Sequence, residues 1–278
     1  MQSLKSGLAL GGGGARGLAH IGVLKVLLQA GIHPYCITGT SMGGIIAAAY
    51  ALGHPIIEIE TQALKLSKPR QLIRLLDISP DRRGLLEGNR VRSYIRNWLG
   101  EEHTFENLMI PLALNATDLL SAQEITLREG PLLPAVLATC TVPGLFAPYE
   151  LGPYRLVDGG VLNNLPVRQA YELGAEFVVA INVQTDPRLE IPHGQVPLKI
   201  QWPFTLPEFF VDFYWAELIM VSELTKHQIE QCPPNIEIYP QLSPEITMFL
   251  GFPRAPEIIA AGEEAAKAAL PQILAALK

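Results

Sequence analysis

Three features of this chain have chemistry in them: a serine between glycines, a run of bare glycines, and an aspartate entering a Gly-Gly turn. Ser41 lies in "ITGTSMGGIIAAAY", with Gly39 two residues before it and Gly43 two after. A serine hydroxyl is a poor nucleophile until a base takes its proton, and it must project clear of the backbone to reach a carbonyl carbon. A sharp strand-turn-helix elbow supplies that projection, and flanking glycines let the neighbouring backbone close in around it. The residues around Ser41 read as that context: "YCITG" is a short apolar strand, and "SMGGIIAAAYALG" is a helix that stops at Gly53. The serine therefore stands at a helix N-terminus, where unpaired N–H groups favour developing negative charge.

The glycine run "GGGGARG", Gly11 to Gly17, contains Gly12-x-Gly14-x-x-Gly17 between a strand and a helix. That spacing is also a dinucleotide fingerprint, but such a site needs an acid about 20 residues on, at the end of the second strand. "AGIHPYCITGT" offers none, and the serine elbow follows instead. The same bare N–H groups suit a different anion, the oxyanion formed when Ser41 attacks an ester. Gly12, Gly13 and Gly14 are the candidate donors, and each donor of this kind is worth roughly 3–4 kcal/mol in the transition state. Arg16 is either a contact for a substrate phosphate or an ornament of the helix start.

The base is harder to find. Of the six histidines, His20 falls within the first helix, His33 in a turn, His54 just past a helix end and His227 in the polar tail of a long helix. His103 has no strand end beside it, and His193 sits in the loop "IPHGQVP". Asp158, in "LVDGGVLNNLPV", ends an apolar strand and enters a tight turn. Its carboxylate is placed either to take the Ser41 proton from the same sheet edge or only to bond its own turn.

The elements that must position these groups follow a β-α-β-α order at the N-terminus: "SGLAL", "LAHIGVLKVLLQAG", "YCITG" and the serine helix. Short links of this kind imply a parallel sheet with right-handed crossovers. The sheet resumes with "MIPLALNATDL", "EITLREG", "YRLVDGG" and "AEFVVAINV". The expected fold is a three-layer α/β/α domain with a mainly parallel sheet and a nucleophile elbow. Residues 1–278 form one domain, with the motif-bearing core over about 5–185. A charged helical insertion over about 54–106 is either a lid or an extra packing layer. A C-terminal helical region covers about 186–278. Its helix "EFFVDFYWAELIMVSELTKHQIE" is too apolar for one narrow face, which suits the core, a dimer interface or a lipid surface.

Composition narrows the partners. The chain has 278 residues, 49% hydrophobic and 17% charged, with a net charge of −6. That is enough chain for one substantial core. The acidic balance argues against nucleic acid, which demands a basic face. Cys36, Cys140 and Cys232 have no metal-ligand spacing, and no metal or other cofactor is expected. The uncharged run "GPLLPAVLATCTVPGLFAPY" carries Pro131, Pro134, Pro143 and Pro148, so it reads as a short buried helix and a loop rather than a membrane span. The expected location is cytoplasmic, with membrane contact at most peripheral.

Taken in order, "GGGGARG", "GTSMGG" and "DGG" resemble the patatin-like phospholipases, and "PLALNATDL", "ATCTVPGLFAP" and "DGGVLNNLPV" resemble that family's intervening segments. The likeness runs from about Leu8 to Val183 and is strongest to small bacterial members related to the neuropathy target esterase catalytic domain. It implies a lipid acyl hydrolase with a Ser-Asp dyad: Ser41 as nucleophile, Asp158 as base, and Gly12 to Gly14 as the oxyanion hole, with no histidine or metal in catalysis. A lipid or acyl ester is then the partner, and a homo-oligomer is open. The alternative is a lipid-binding regulator or scaffold with weak or no hydrolase activity.

Overall fold

In the computed structural model, residues 4–77, 84–184, 208–243, 245–249 and 251–277 are described. The chain opens with β1 (Ser6–Leu10), a 3-10 turn (Gly14–Leu18), α1 (Ala19–Gln29), β2 (Cys36–Gly39) and α2 (Met42–Ala51). Then come three helices of the 54–106 region, α3 (Ile56–Leu66), α4 (Pro69–Leu75) and α5 (Asn89–Leu99). The sheet continues with β3 (Leu112–Asp118) and β4 (Gln123–Leu127), followed by α6 (Leu132–Thr139), β5 (Tyr149–Leu151) and β6 (Tyr154–Asp158). After α7 (Val167–Glu172) and β7 (Phe177–Ile181), the chain ends with α8 (Glu208–Gln231), β8 (Ile236–Ile238) and α9 (Ala255–Ala276).

The strands form one sheet in the order β5-β6-β3-β2-β1-β7-β8, with β4 paired to β3 outside that path. The central pairs β2–β3, β1–β2, β1–β7 and β7–β8 are parallel. β1, β2 and β7 are buried along their whole length, as strands covered on both faces must be. Strand alternation divides them. Leu8, Leu10, Ile37, Val179 and Ile181 face the main core with α1, α2 and α9. Ala9, Cys36, Val178 and Ala180 face a second cluster with Val167 and Ala170 of α7, against which Ile229 of α8 packs. Larger side chains thus point to one layer and smaller ones to the other. The three-layer α/β/α expectation holds.

One feature of β3 decides where the site lies. Leu114 pairs with both Gly39 of β2 and Leu127 of β4, so those two strands must lie on opposite edges of β3. β4 continues along its edge to Asp118, which leaves β6, paired with Ala116 to Asp118, on the same edge as β2. β2 runs parallel to β3 and β6 antiparallel, so the two share an edge end to end and their C-termini meet. Asp158, opposite Ala116, arrives two residues beyond Leu114, the partner of Gly39. The sequence places Asp158 at the end of an apolar strand, on the sheet edge that bears Ser41. The strand is antiparallel, and it reaches the same place from the other direction.

α1 and α9 meet backbone to backbone at Gly22 and Gly262. A Cβ on Gly22 would lie 2.0 Å from the Ile259 carbonyl oxygen, and one on Gly262 would lie 2.0 Å from that of Ala19. Both obstacles are backbone, so a whole helix must move. Gly22→Ala is expected to destabilise the fold by roughly 3 kcal/mol, lowering the melting temperature by about 5–10 °C. An unchanged melt would mean that the helices part at little cost.

Candidate active site

Ser41 stands between the end of β2 and the first turn of α2, with φ 53° and ψ −124°. Positive φ is uncommon for a residue with a side chain, and strain of this kind must be held by its surroundings. Several contacts hold it. The Ser41 N–H donates to Thr139 Oγ1 at 3.0 Å, and the Cys140 thiol donates to the Ser41 carbonyl at 3.3 Å. The flanking glycines explain themselves by distance. A Cβ on Gly39 would meet the Gly43 carbonyl carbon at 2.6 Å, and one on Gly43 would meet the Leu10 carbonyl oxygen at 2.4 Å. Gly39 therefore lets the strand and helix fold back on each other. Gly43 lets the helix press onto the end of β1.

Asp158 is fixed from both sides. Its N–H donates to the Thr141 carbonyl at 2.8 Å, and its Oδ1 accepts from the Gly160 N–H at 2.8 Å. Burial pushes its pKa up to about 6, against a pull downward from a hydrogen bond with the Ser41 side chain and from the Gly160 N–H. The two side chains that the sequence singled out open into the same space. Both line one cavity of about 50 Å³, together with Gly13, Arg16, Glu217 and Met248. A water takes roughly 10–15 Å³ of such space, so the cavity admits a reacting group and a long acyl chain must run out of it.

The glycine run divides by what each N–H does. Gly11 donates to the Ile181 carbonyl and Gly12 to the Asn164 carbonyl at 3.0 Å. Gly12 therefore has no N–H left for an oxyanion in this conformation. Its bareness makes room instead, since a Cβ there would lie 3.3 Å from the Ser41 Cβ and 2.5 Å from Asn164 Oδ1. The N–H groups of Gly13 and Gly14 have no hydrogen bond among the described residues, and Met42 N–H, first in α2, has no partner within its helix. Gly14 has φ 54°, and a Cβ there would strike the Met248 carbonyl oxygen at 2.4 Å. Arg16 is nearly fully buried, and its own N–H donates to the Gly13 carbonyl. Gly17 serves packing, because a Cβ would meet the Met42 side chain at 2.7 Å.

No histidine of the described residues lines the cavity, and His193 lies outside them. His20 is locked in the core. Its Nε2–H donates to the Gly11 carbonyl at 2.7 Å, and burial lowers its pKa to about 4, so it is neutral and holds the glycine turn. None of the described residues of the 54–106 region lines the cavity either; α3 packs on α1 and α2, and α5 on α6. Asn164 went unnoticed in the sequence although it stands in "NNLPV". Its Nδ2 donates to the Gly12 carbonyl at 3.1 Å and to Gln184 Oε1 at 3.1 Å, tying the loop after β6 to the glycine turn. Thr139, Cys140 and Glu217 were missed too. Only Glu217 left a trace, as a lone charge in "FYWAELIM".

The sequence model of the family described as Patatin-like phospholipase matches residues 8–171, more than half of the chain. The chain belongs to that family. Among the relatives of this patatin-like protein is an uncharacterized NTE family protein of Mycobacterium tuberculosis, 36% identical over 176 residues, covering 63% of this chain and 48% of that protein. The neuropathy target esterase of Drosophila melanogaster is 30% identical over 212 residues, covering 72% of this chain and 15% of the relative. The chain thus spans about half the length of the first relative and a far smaller part of the second. Among solved structures, VipD from Legionella pneumophila superposes with a TM-score of 0.50 at 14% identity, over 98% of this chain and 67% of that one. That likeness concerns the fold alone. No helix among the described residues is long and apolar enough to cross a membrane, and no cluster among them has the makings of a metal site.

Proposed function

We propose that this patatin-like protein is a lipid acyl hydrolase, a serine carboxylic-ester hydrolase of the phospholipase, lysophospholipase or esterase type, that works through a Ser41–Asp158 dyad. The observation that carries this reading is that a strained serine at a helix N-terminus and a buried carboxylate line one and the same cavity. A carboxylate with a pKa of about 6 is mostly ionised at pH 7, the state a general base needs, and is close enough to neutrality to give the proton back.

Asp158 accepts the Ser41 Oγ proton as Oγ bonds to the ester carbonyl carbon. The carbonyl oxygen becomes an oxyanion, received by the open N–H groups of Gly13 and Gly14 and by Met42 N–H at the α2 terminus. The tetrahedral species collapses, the bond to the alcohol oxygen breaks, and Asp158 hands its proton to that oxygen. Asp158 then takes a proton from water, whose oxygen attacks the acyl-serine, and the fatty acid leaves as Ser41 recovers its proton. Arg16 is the cation beside this path that a substrate phosphate can meet. Phe213, Ile219 and Met220 stand exposed on α8, the helix that also lines the cavity, and this supports peripheral contact with a lipid surface.

The test traps the serine. A long-chain fluorophosphonate should add one phosphonyl group per chain, mapped to Ser41 by peptide mass spectrometry, and should abolish release of fatty acid from soluble short-chain acyl esters. Saturable lipid binding with no adduct and no release on a broad ester panel would replace this reading with that of a lipid-binding regulator.

A further inference from the structure

Glu217 is the only charged residue in the segment "FYWAELIM" of α8. A helix that merely needed solubility would turn that carboxyl to water, beside the exposed Asp212, Ala216, Met220 and Glu223. Glu217 instead faces inward with Leu218 and Val221, into the cavity that holds Ser41 and Asp158. It makes no hydrogen bond or ion pair among the described residues. Burial raises its pKa to about 7, and the negative charge of Asp158 adds to the rise.

The groups facing it are few. Asp158 comes from β6 and Arg16 from the 3-10 turn Gly14–Leu18. Cys140, at the end of α6, lies by Asp158, and burial together with that charge pushes its thiol well above the ordinary range, so it stays neutral. Under the proposed mechanism Asp158 must be an anion, so the cavity already holds one negative charge, with Arg16 as the cation among its described lining residues. Nothing among the described residues offsets a second. A protonated Glu217 adds a donor for an alcohol oxygen, whereas an ionised Glu217 adds an unbalanced negative charge. Like charges brought together in a partly enclosed site repel, and specificity of this kind is built as much by repulsion as by attraction.

We propose that Glu217 is a specificity-determining residue that sets the charge class of the substrate: the site takes acyl esters whose alcohol part bears no net negative charge, neutral or zwitterionic, and rejects those with an anionic one. This rests on the hydrolase reading above for its reaction, though not for its recognition. The rejection deepens as pH rises through the range where Glu217 loses its proton.

The test compares 1-hexanoylglycerol with its 3-sulfate, both kept below their aggregation concentration. The sulfate holds one fixed negative charge, so its head group does not titrate. At pH 8 the wild type should prefer the neutral ester in kcat/KM by about 30-fold or more, and at pH 6 by clearly less. Glu217→Gln should narrow the pH 8 preference at least tenfold by raising turnover of the sulfate ester, and should remove its dependence on pH. Glu217→Asp should retain a preference with the same sign. Thermal melts of each variant confirm that it is folded. An unchanged preference in folded Glu217→Gln, or a wild type that favours the sulfate, overturns the proposal.

A second arm needs no turnover. In a Ser41→Ala background, calorimetric affinities for 1-O-hexylglycerol and its 3-sulfate should show the same narrowing when Glu217 becomes Gln. Narrowed binding without any ester hydrolysis would sink the hydrolase reading and keep the Glu217 assignment. Hydrolysis with an unaltered ratio in both arms would do the reverse.

Discussion

Ser41→Ala will lower kcat/KM for a soluble acyl ester by about 10⁴-fold or more and leave the protein folded. The size follows from what is lost. Without Oγ no acyl-serine forms, and the donors of Gly13, Gly14 and Met42 have no adduct to stabilise; serine nucleophiles removed from comparable sites forfeit nearly all of the dyad or triad contribution at once. The fold survives because what holds position 41 is mostly backbone: its N–H on Thr139 and its carbonyl under Cys140. Ser41→Gly adds a physical check. Alanine keeps the Cβ and hence the strain at φ 53°, whereas glycine releases it. Strain at such a residue is worth about 1–3 kcal/mol, and the extra freedom glycine gives the unfolded chain takes back about 0.5–1 kcal/mol. Ser41→Gly should therefore melt above Ser41→Ala by a few degrees while both are inactive. Esterase activity in Ser41→Ala near the wild-type level would remove the serine from the reaction.

Much of this site was legible because its signals are local. Gly39 and Gly43 sit at fixed distances from Ser41 along the chain; the Gly43 backbone that Gly39 clears lies in the same strand-turn-helix unit, and the Leu10 backbone that Gly43 clears ends the neighbouring strand β1. The apolar strands around β1 and β7 announced themselves as runs without alternation, which is what burial on both faces writes into a sequence. What stayed hidden depends on long-range pairing. The direction of β6 could not be read, because an apolar pentapeptide before a Gly-Gly turn looks the same in either orientation. The edge it shares with β2 exists only once β4 has taken the other side of β3. Gly12 looked like Gly13 until Asn164, 152 residues away, claimed its loop. Glu217 was visible as an anomaly in its helix, but the rotation of α8 about its axis, which turns the carboxyl to Ser41 rather than to water, is a property of packing.

Asp158→Asn should move activity and stability in opposite directions. An amide oxygen is too weak a base to take the Ser41 proton at neutral pH, so kcat/KM should fall by about 10³–10⁴-fold. In the wild type, kcat/KM for a neutral ester should rise tenfold per pH unit up to about pH 6 and then level, because the ionised fraction of Asp158 governs it. Stability runs the other way. The carboxyl pKa is about 6 in the folded protein against an ordinary 3.8, so between those values the folded state holds more protons than the unfolded one. Its stability therefore falls as pH climbs from 4 to 6, and by pH 7 the buried charge costs about 3 kcal/mol. Asparagine removes that charge and can still accept from the Gly160 N–H and donate to Ser41 Oγ. The variant should melt about 5 °C or more above wild type at pH 7, with the gain fading to nothing below pH 4. A gain independent of pH would place its origin in packing rather than in the charge, and a loss at pH 7 would mean that the carboxylate is better solvated by Gly160 and Ser41 than its burial implies. A protein that holds such a charge against its own stability keeps it for the proton it can take.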